Sequence, residues 1–190
     1  MRKNFRCAAG LLCALAFLSV LATAADRATA DHAGDEWKTV VKQRLKLYGH
    51  RNWIVIADSA YPEQSADGIE TIVSNSDQLD VLKEVISDIS ASKHVHAIPH
   101  TDKELKFLSD SDAPGVSAYR EKLFALLPDA QTNSQLHEDI IHKLDVVSKT
   151  FRVLIIKTNM TVPYTSVFLQ LDCAYWPSDA EQRLRAKMAR

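Results

Sequence analysis

The chain has 190 residues, 23 Lys and Arg against 24 Asp and Glu, 46% hydrophobic residues and three cysteines. The absence of a basic surplus argues against nucleic acid as a partner, and the length fits one domain with a real core and leaves little room for a second. No stretch repeats and none is of low complexity.

Residues 1–24 read as a signal peptide, with Arg2, Lys3 and Arg6 as a positive start, Ala8 to Leu21 as the apolar centre and Ala22-Thr23-Ala24 as a small-residue cleavage site. The apolar run is about 14 residues, short of the roughly 20 that span a membrane, so cleavage is expected rather than anchoring. That makes the protein an exported one, periplasmic or extracellular. Without this segment the balance is 20 basic against 24 acidic residues. Cys7 and Cys13 fall within it, so Cys173 would be alone in the mature chain and no intrachain disulfide could form, although export would permit one. Residues 25–34 are small and polar and read as a disordered leader.

Structure is expected from Asp35. Trp37, Val40, Val41, Leu45 and Tyr48 recur at helical spacing with Gly49 as a stop, which predicts a helix over 35–48. Trp53 to Ala57 is a continuous apolar run bounded by turn-formers, the pattern of a buried central strand. Further strands are expected at 69–73, 94–98, 151–157 and 165–172, the last two as a hairpin-like pair about the turn 159–163. Helices are expected at 77–90, 116–127 and 136–149. Five strands alternating with helices predict a single-domain α/β/α sandwich with a mixed sheet over 35–177. Residues 178–190 read as a polar, basic tail, a frayed helix on the surface.

In open α/β sheets ligands bind beyond the carboxyl ends of the strands, and Asp58 stands where the buried strand ends. A turn-forming role would equally place an aspartate there. His50, in the turn that feeds this strand, is the candidate general acid/base, since a histidine exchanges protons near neutrality. His94, His96 and His100 have a spacing that could hold a metal. No cysteine or carboxylate completes that set, so solvated histidines on an exposed strand face are preferred and no metal is expected. Cys173, beside the apolar run 167–171, reads as a buried packing residue.

The segment Tyr48-Gly49-His50, a buried strand, then Asp58-Ser59-Ala60-Tyr61-Pro62 resembles the ribose pyranase and fucose mutarotase family. There a Gly-His pair precedes a strand ending in Asp-Ala-Gly-Leu-Pro, with the same spacing from His to Asp to Pro. Lys157 to Ser166 and the strand after it resemble the family's Arg-Thr-Gly-Glu, Pro-Tyr-Ala-Asn run and terminal strand. The resemblance implies an isomerase that interconverts anomers or ring forms of a free, ribose- or fucose-like monosaccharide without a cofactor. Its proton donor falls on His50, a sugar-binding carboxylate on Asp58, and further sugar contacts on Tyr164 and Ser166. Leu136-His137-Glu138 matches a substrate histidine at a helix start, with Ser134 as a cap; counting back from Tyr164 lands instead on His142.

Asn159-Met160, Ser166 and Ala60-Tyr61 depart from the family pattern, and residues 99–135 are an insertion. These departures keep open a non-catalytic monosaccharide-binding protein on the same fold. Six extended residues span roughly 17–20 Å, so His50 and Asp58 lie at opposite ends of their strand. Either the His50 turn folds back or the site combines neighbouring subunits. The family's ring-shaped homo-oligomers imply the second.

Overall fold

Trp53, Ile54, Val55, Ile56 and Ala57 form strand β1 (Trp53–Ala57), and all five are buried. These contacts belong to a computed structural model that describes residues 36–127 and 132–189; the predicted signal peptide and leader lie outside the described residues. A strand buried on both faces needs a partner on each edge and cover on each side. β5 (Val153–Lys157) runs parallel to β1, with Ile155 opposite Val55, and β6 (Val167–Cys173) runs antiparallel on the other edge, with Phe168 opposite Val55. β2 (Ile69–Val73) continues the sheet beyond β5, while β3 (Val95–Asp102) and the short β4 (Asn133–Gln135) continue it beyond β6. The order is β2-β5-β1-β6-β3-β4. Of the six, β6 alone runs against the rest.

Successive residues of β1 point to opposite faces. Ile54 and Ile56 pack with Trp37, Val41 and Leu45 of helix α1 (Glu36–Leu45) and with the apolar sides of α2 (Gln78–Ala91) and α3 (Val116–Leu126). Trp53, Val55 and Ala57 meet Ile140 and Leu144 of α4 (His137–Val147). Each fully buried Ile or Val here contributes about 1.5–3 kcal/mol. The expected α/β/α sandwich with a mixed sheet is what forms. Helix α5 (Ser178–Met188) buries none of its residues, as the polar tail implied.

Three expectations are corrected. The last two long strands are not a hairpin: β1 lies between them, so the connection 158–166 crosses one strand. Strand β3 does not stop at Ile98 but runs through Pro99 to Asp102. Proline is tolerated near a sheet edge, and β4 pairs only from His100 onward. Finally, α1 ends at Leu45 rather than Tyr48, because Leu47 N and Tyr48 N both turn back to Arg44 O at 2.9 Å.

Candidate active site

Because β6 is antiparallel, its first residues lie beside the last of β1, with Val167 opposite Ile56. Asp58 is the first residue after β1 and Ser166 the last before β6. Ser166 Oγ donates to Asp58 Oδ2 at 3.1 Å and accepts from Asp58 N at 3.3 Å, while Asp58 Oδ1 accepts from Ala60 N at 2.9 Å. The carboxylate is therefore both a turn former and a group held at the sheet edge.

Strand β3 ends at the same edge in Asp102, and the start of α4 reaches it. His137 Nδ1 lies 3.1 Å from Asp102 Oδ2. The residue before the helix, Leu136, offers no side-chain cap. In its place both carboxylate oxygens of Glu104, from the 3-10 turn Lys103–Lys106, accept from His137 N at 3.1 Å. Ser134, the expected cap, is part of β4.

Tyr164 sets its ring edge-on to His137 with centroids 5.6 Å apart. Its φ of 58° is left-handed, a costly conformation for an aromatic residue unless neighbours hold it. The neighbours are Gln78 and Tyr119, which donate to the next carbonyl, Thr165 O, at 2.6 and 3.0 Å. Tyr119 comes from α3, which thus braces the loop. Asp58, Tyr61, Pro62, His137 and Tyr164 line a cavity of about 240 Å³.

The Asp102 side chain is 0% exposed and its Oδ1 has no partner among the described residues. Burial pushes its carboxyl up to about 6, opposed by His137 and reinforced by Glu104 and Asp58. Tyr61 is buried with no partner for its hydroxyl among the described residues, and burial raises it well beyond the usual phenol range, with Asp102, Asp145 and Asp58 adding. His100 stacks on Trp53 at 5.0 Å and is pushed down to about 4, first by burial and then by Lys143. A histidine beside one half-exposed and one buried carboxyl, in unlike environments, is a group set that can pass protons.

Asp58, His137, Tyr164 and Ser166 are brought together; His50 is not. It is exposed in the turn before β1, and Arg51 N donates to Leu171 O at 2.9 Å, which keeps that turn at the opposite sheet edge. The turn does not fold back. Ser166 is 1% exposed and its hydroxyl serves Asp58, in place of the expected sugar contact. His142, farther along α4, does not line the cavity.

The three spaced histidines are not an exposed face. His94 lies against the carbonyls of Ser92, Leu45 and Tyr48 at 2.9–3.0 Å, His96 is exposed, and His100 and Thr101 are buried. Among the described residues no group of three His, Cys, Asp or Glu could hold a metal. Cys173 is half-exposed at the end of β6 rather than buried. A larger opening of about 660 Å³ lies between α1 and α2, but its His94 is held by carbonyls and its Lys42 faces Glu84 and Asp88.

No protein-family model matches the chain, and no curated protein does. Solved structures do. In fold the chain is similar to ribose pyranase and fucose mutarotase structures. Bacillus subtilis RbsD complexed with D-ribose matches at 18% identity and a TM-score of 0.48, over 68% of this chain and 88% of that one. The fucose mutarotase of Streptococcus pneumoniae in complex with L-fucose matches at 19% and 0.46, over 68% and 89%. FucU from Bifidobacterium longum matches at 13% and 0.45, over 70% and 93%. The expectation of export is not carried forward: residues 1–24, on which it rests, lie outside the described residues.

Proposed function

We propose that the chain is a monosaccharide isomerase of the mutarotase or pyranase type, acting without a cofactor at the carboxyl edge of β1. The observation that carries this reading is the convergence of Asp58, His137 and Tyr164 on one cavity of about 240 Å³. That is below the roughly 300–1,000 Å³ of drug-sized sites and suits a ligand of single-sugar size.

Ring opening needs a base to take the proton of the anomeric hydroxyl while the bond from the anomeric carbon to the ring oxygen breaks, and an acid to protonate that oxygen. Closure on the other face reverses both transfers, so no net proton or electron is consumed. His137 supplies the exchanging nitrogen. Asp58, fixed by Ser166 and Ala60 N, accepts hydrogen bonds from sugar hydroxyls. Tyr164 contributes its ring and hydroxyl at the rim.

His50 enters this reading through a neighbouring copy in a homo-oligomer, since within one chain it stands at the far end of the strand. Exchange NMR on the anomers of D-ribose and L-fucose tests the proposal. Acceleration by the full chain that saturates with sugar is the expected result, and a rate equal to buffer would overturn it. Saturable binding without acceleration would favour the non-catalytic sugar-binding reading, which the Asn159, Met160 and Ser166 departures support. A monomeric mass by light scattering together with full exchange activity would remove His50 from the site.

A further inference from the structure

The hydrogen bond between Asp102 and His137 decides more than where the ring sits. A neutral imidazole has one donor nitrogen and one acceptor, whereas an ionised carboxylate only accepts. With Asp102 Oδ2 3.1 Å from Nδ1, the proton of the neutral ring belongs on Nδ1. Nε2 has no hydrogen-bond partner among the described residues, and the His137 side chain is 32% exposed beside the cavity. Glu104 fixes the same residue's backbone with two further bonds. Side chain and main chain are thus each tied to a different carboxylate.

A purely structural pair would leave fewer loose ends. Asp102 is fully buried with one oxygen unpartnered, an arrangement that costs stability. Such unfavourable groups collect at functional sites.

We propose that Asp102 is a positioning residue that fixes the His137 imidazole as the Nδ1–H tautomer, so that Nε2 is the nitrogen presented to substrate. The consequence for catalysis rests on the proton transfer proposed above; the geometry does not. The charged and titratable groups facing Asp102 are His137 from α4, Glu104 from the 3-10 turn, Asp58 after β1 and Tyr61 from the loop that follows. As pH falls below about 6 the buried carboxyl takes a proton and stops being a pure acceptor, so the preference for Nδ1–H weakens on the acid side.

The test is nitrogen NMR on the full chain labelled at histidine, with the His137 ring assigned through His137→Gln. Near neutral pH the wild type should carry its proton on Nδ1, and Asp102→Asn should lose that preference. In the same variant the exchange rate should fall about 100-fold or more through kcat, with KM little changed. A proton on Nε2 in the wild type, or an unchanged tautomer in Asp102→Asn, overturns the inference. The wild-type spectrum alone decides should the variant not fold. A wild type that holds Nδ1–H yet accelerates no sugar exchange leaves the positioning role standing and defeats the functional reading instead. Acceleration that survives Asp102→Asn with the tautomer intact does the reverse.

Discussion

The two ends of β1 follow different rules. At the amino end polar groups are closed on one another: Asn52 Oδ1 accepts from Gly49 N, Asn52 Nδ2 donates to Arg152 O, and Arg44 grips Glu70 through two bonds of 2.6 and 2.7 Å. Each end opens on a cavity, of about 370 Å³ at the amino end and about 240 Å³ at the carboxyl end, but at the carboxyl end Asp102 Oδ1 and Tyr61 Oη have no partners among the described residues. Left-handed backbone does not separate the two, since Arg51 has φ 75° and Tyr164 φ 58°. What separates them is unsatisfied hydrogen-bonding capacity, which is what a ligand can use.

The largest expected effect lies at the carboxyl end. His137→Ala should lower sugar exchange about 10²- to 10⁴-fold, the usual range for losing a general acid/base, while circular dichroism shows an intact fold. Retained exchange would place the chemistry elsewhere. At the amino edge the matching change is Gly68→Ala. A Cβ there would lie 1.9 Å from the Ser148 carbonyl oxygen and 2.9 Å from that of Phe151, so denaturant melts should show a loss of about 1–3 kcal/mol or more. Folded Gly68→Ala should still accelerate exchange. A variant as stable as the wild type would mean the edge is looser than its packing.

A smaller effect is expected at Ser166, which touches Asp58 and no part of the cavity. Ser166→Ala removes a hydrogen bond to a charged group, worth about 1.5–3 kcal/mol, and should lower exchange by about tenfold or more. Full activity in this variant would mean Asp58 holds its place without it.

The smallest effect is a contrast in pH. His94 faces carbonyls with both ring nitrogens, which only the imidazolium can satisfy as a donor at each, and the hydrogen bond to Ser92 O leads in raising its affinity for the proton. Its stabilisation is complete below the unfolded value of about 6.5 and is lost as pH rises through the higher folded value. Asp102 is also raised, so the stability linked to it is complete below 3.8 and lost as pH climbs toward about 6. Thermal melts across pH should therefore decline in two windows. His94→Gln should flatten the upper and Asp102→Asn the lower; a single unchanged decline in both variants would refute the assignment.

How far the sequence could be read followed the same division. β1 was legible because five consecutive apolar residues have few other homes, and α4 because Ile140 and Leu144 keep helical spacing. Asp58 and His137 were legible because each ends or starts such an element. Asp102 was not, because Pro99 reads as a stop and hides the last turn of the strand's ladder, which β6 and then β4 carry onward. The closeness of β5 and β6 in sequence suggested a hairpin, whereas β1, buried on both faces, takes the place between them. The resemblance implies a sugar contact at Ser166, and nothing local reveals that Asp58 occupies its hydroxyl across 108 residues of chain.

The most direct test of a sugar-handling carboxyl edge is the anomer exchange rate of D-ribose and L-fucose with Asp58→Asn beside the wild type. Acceleration by the wild type that drops toward the buffer rate in Asp58→Asn, with the melting temperature maintained, is the predicted result. An Asp58→Asn protein that exchanges sugar as fast as the wild type would contradict it.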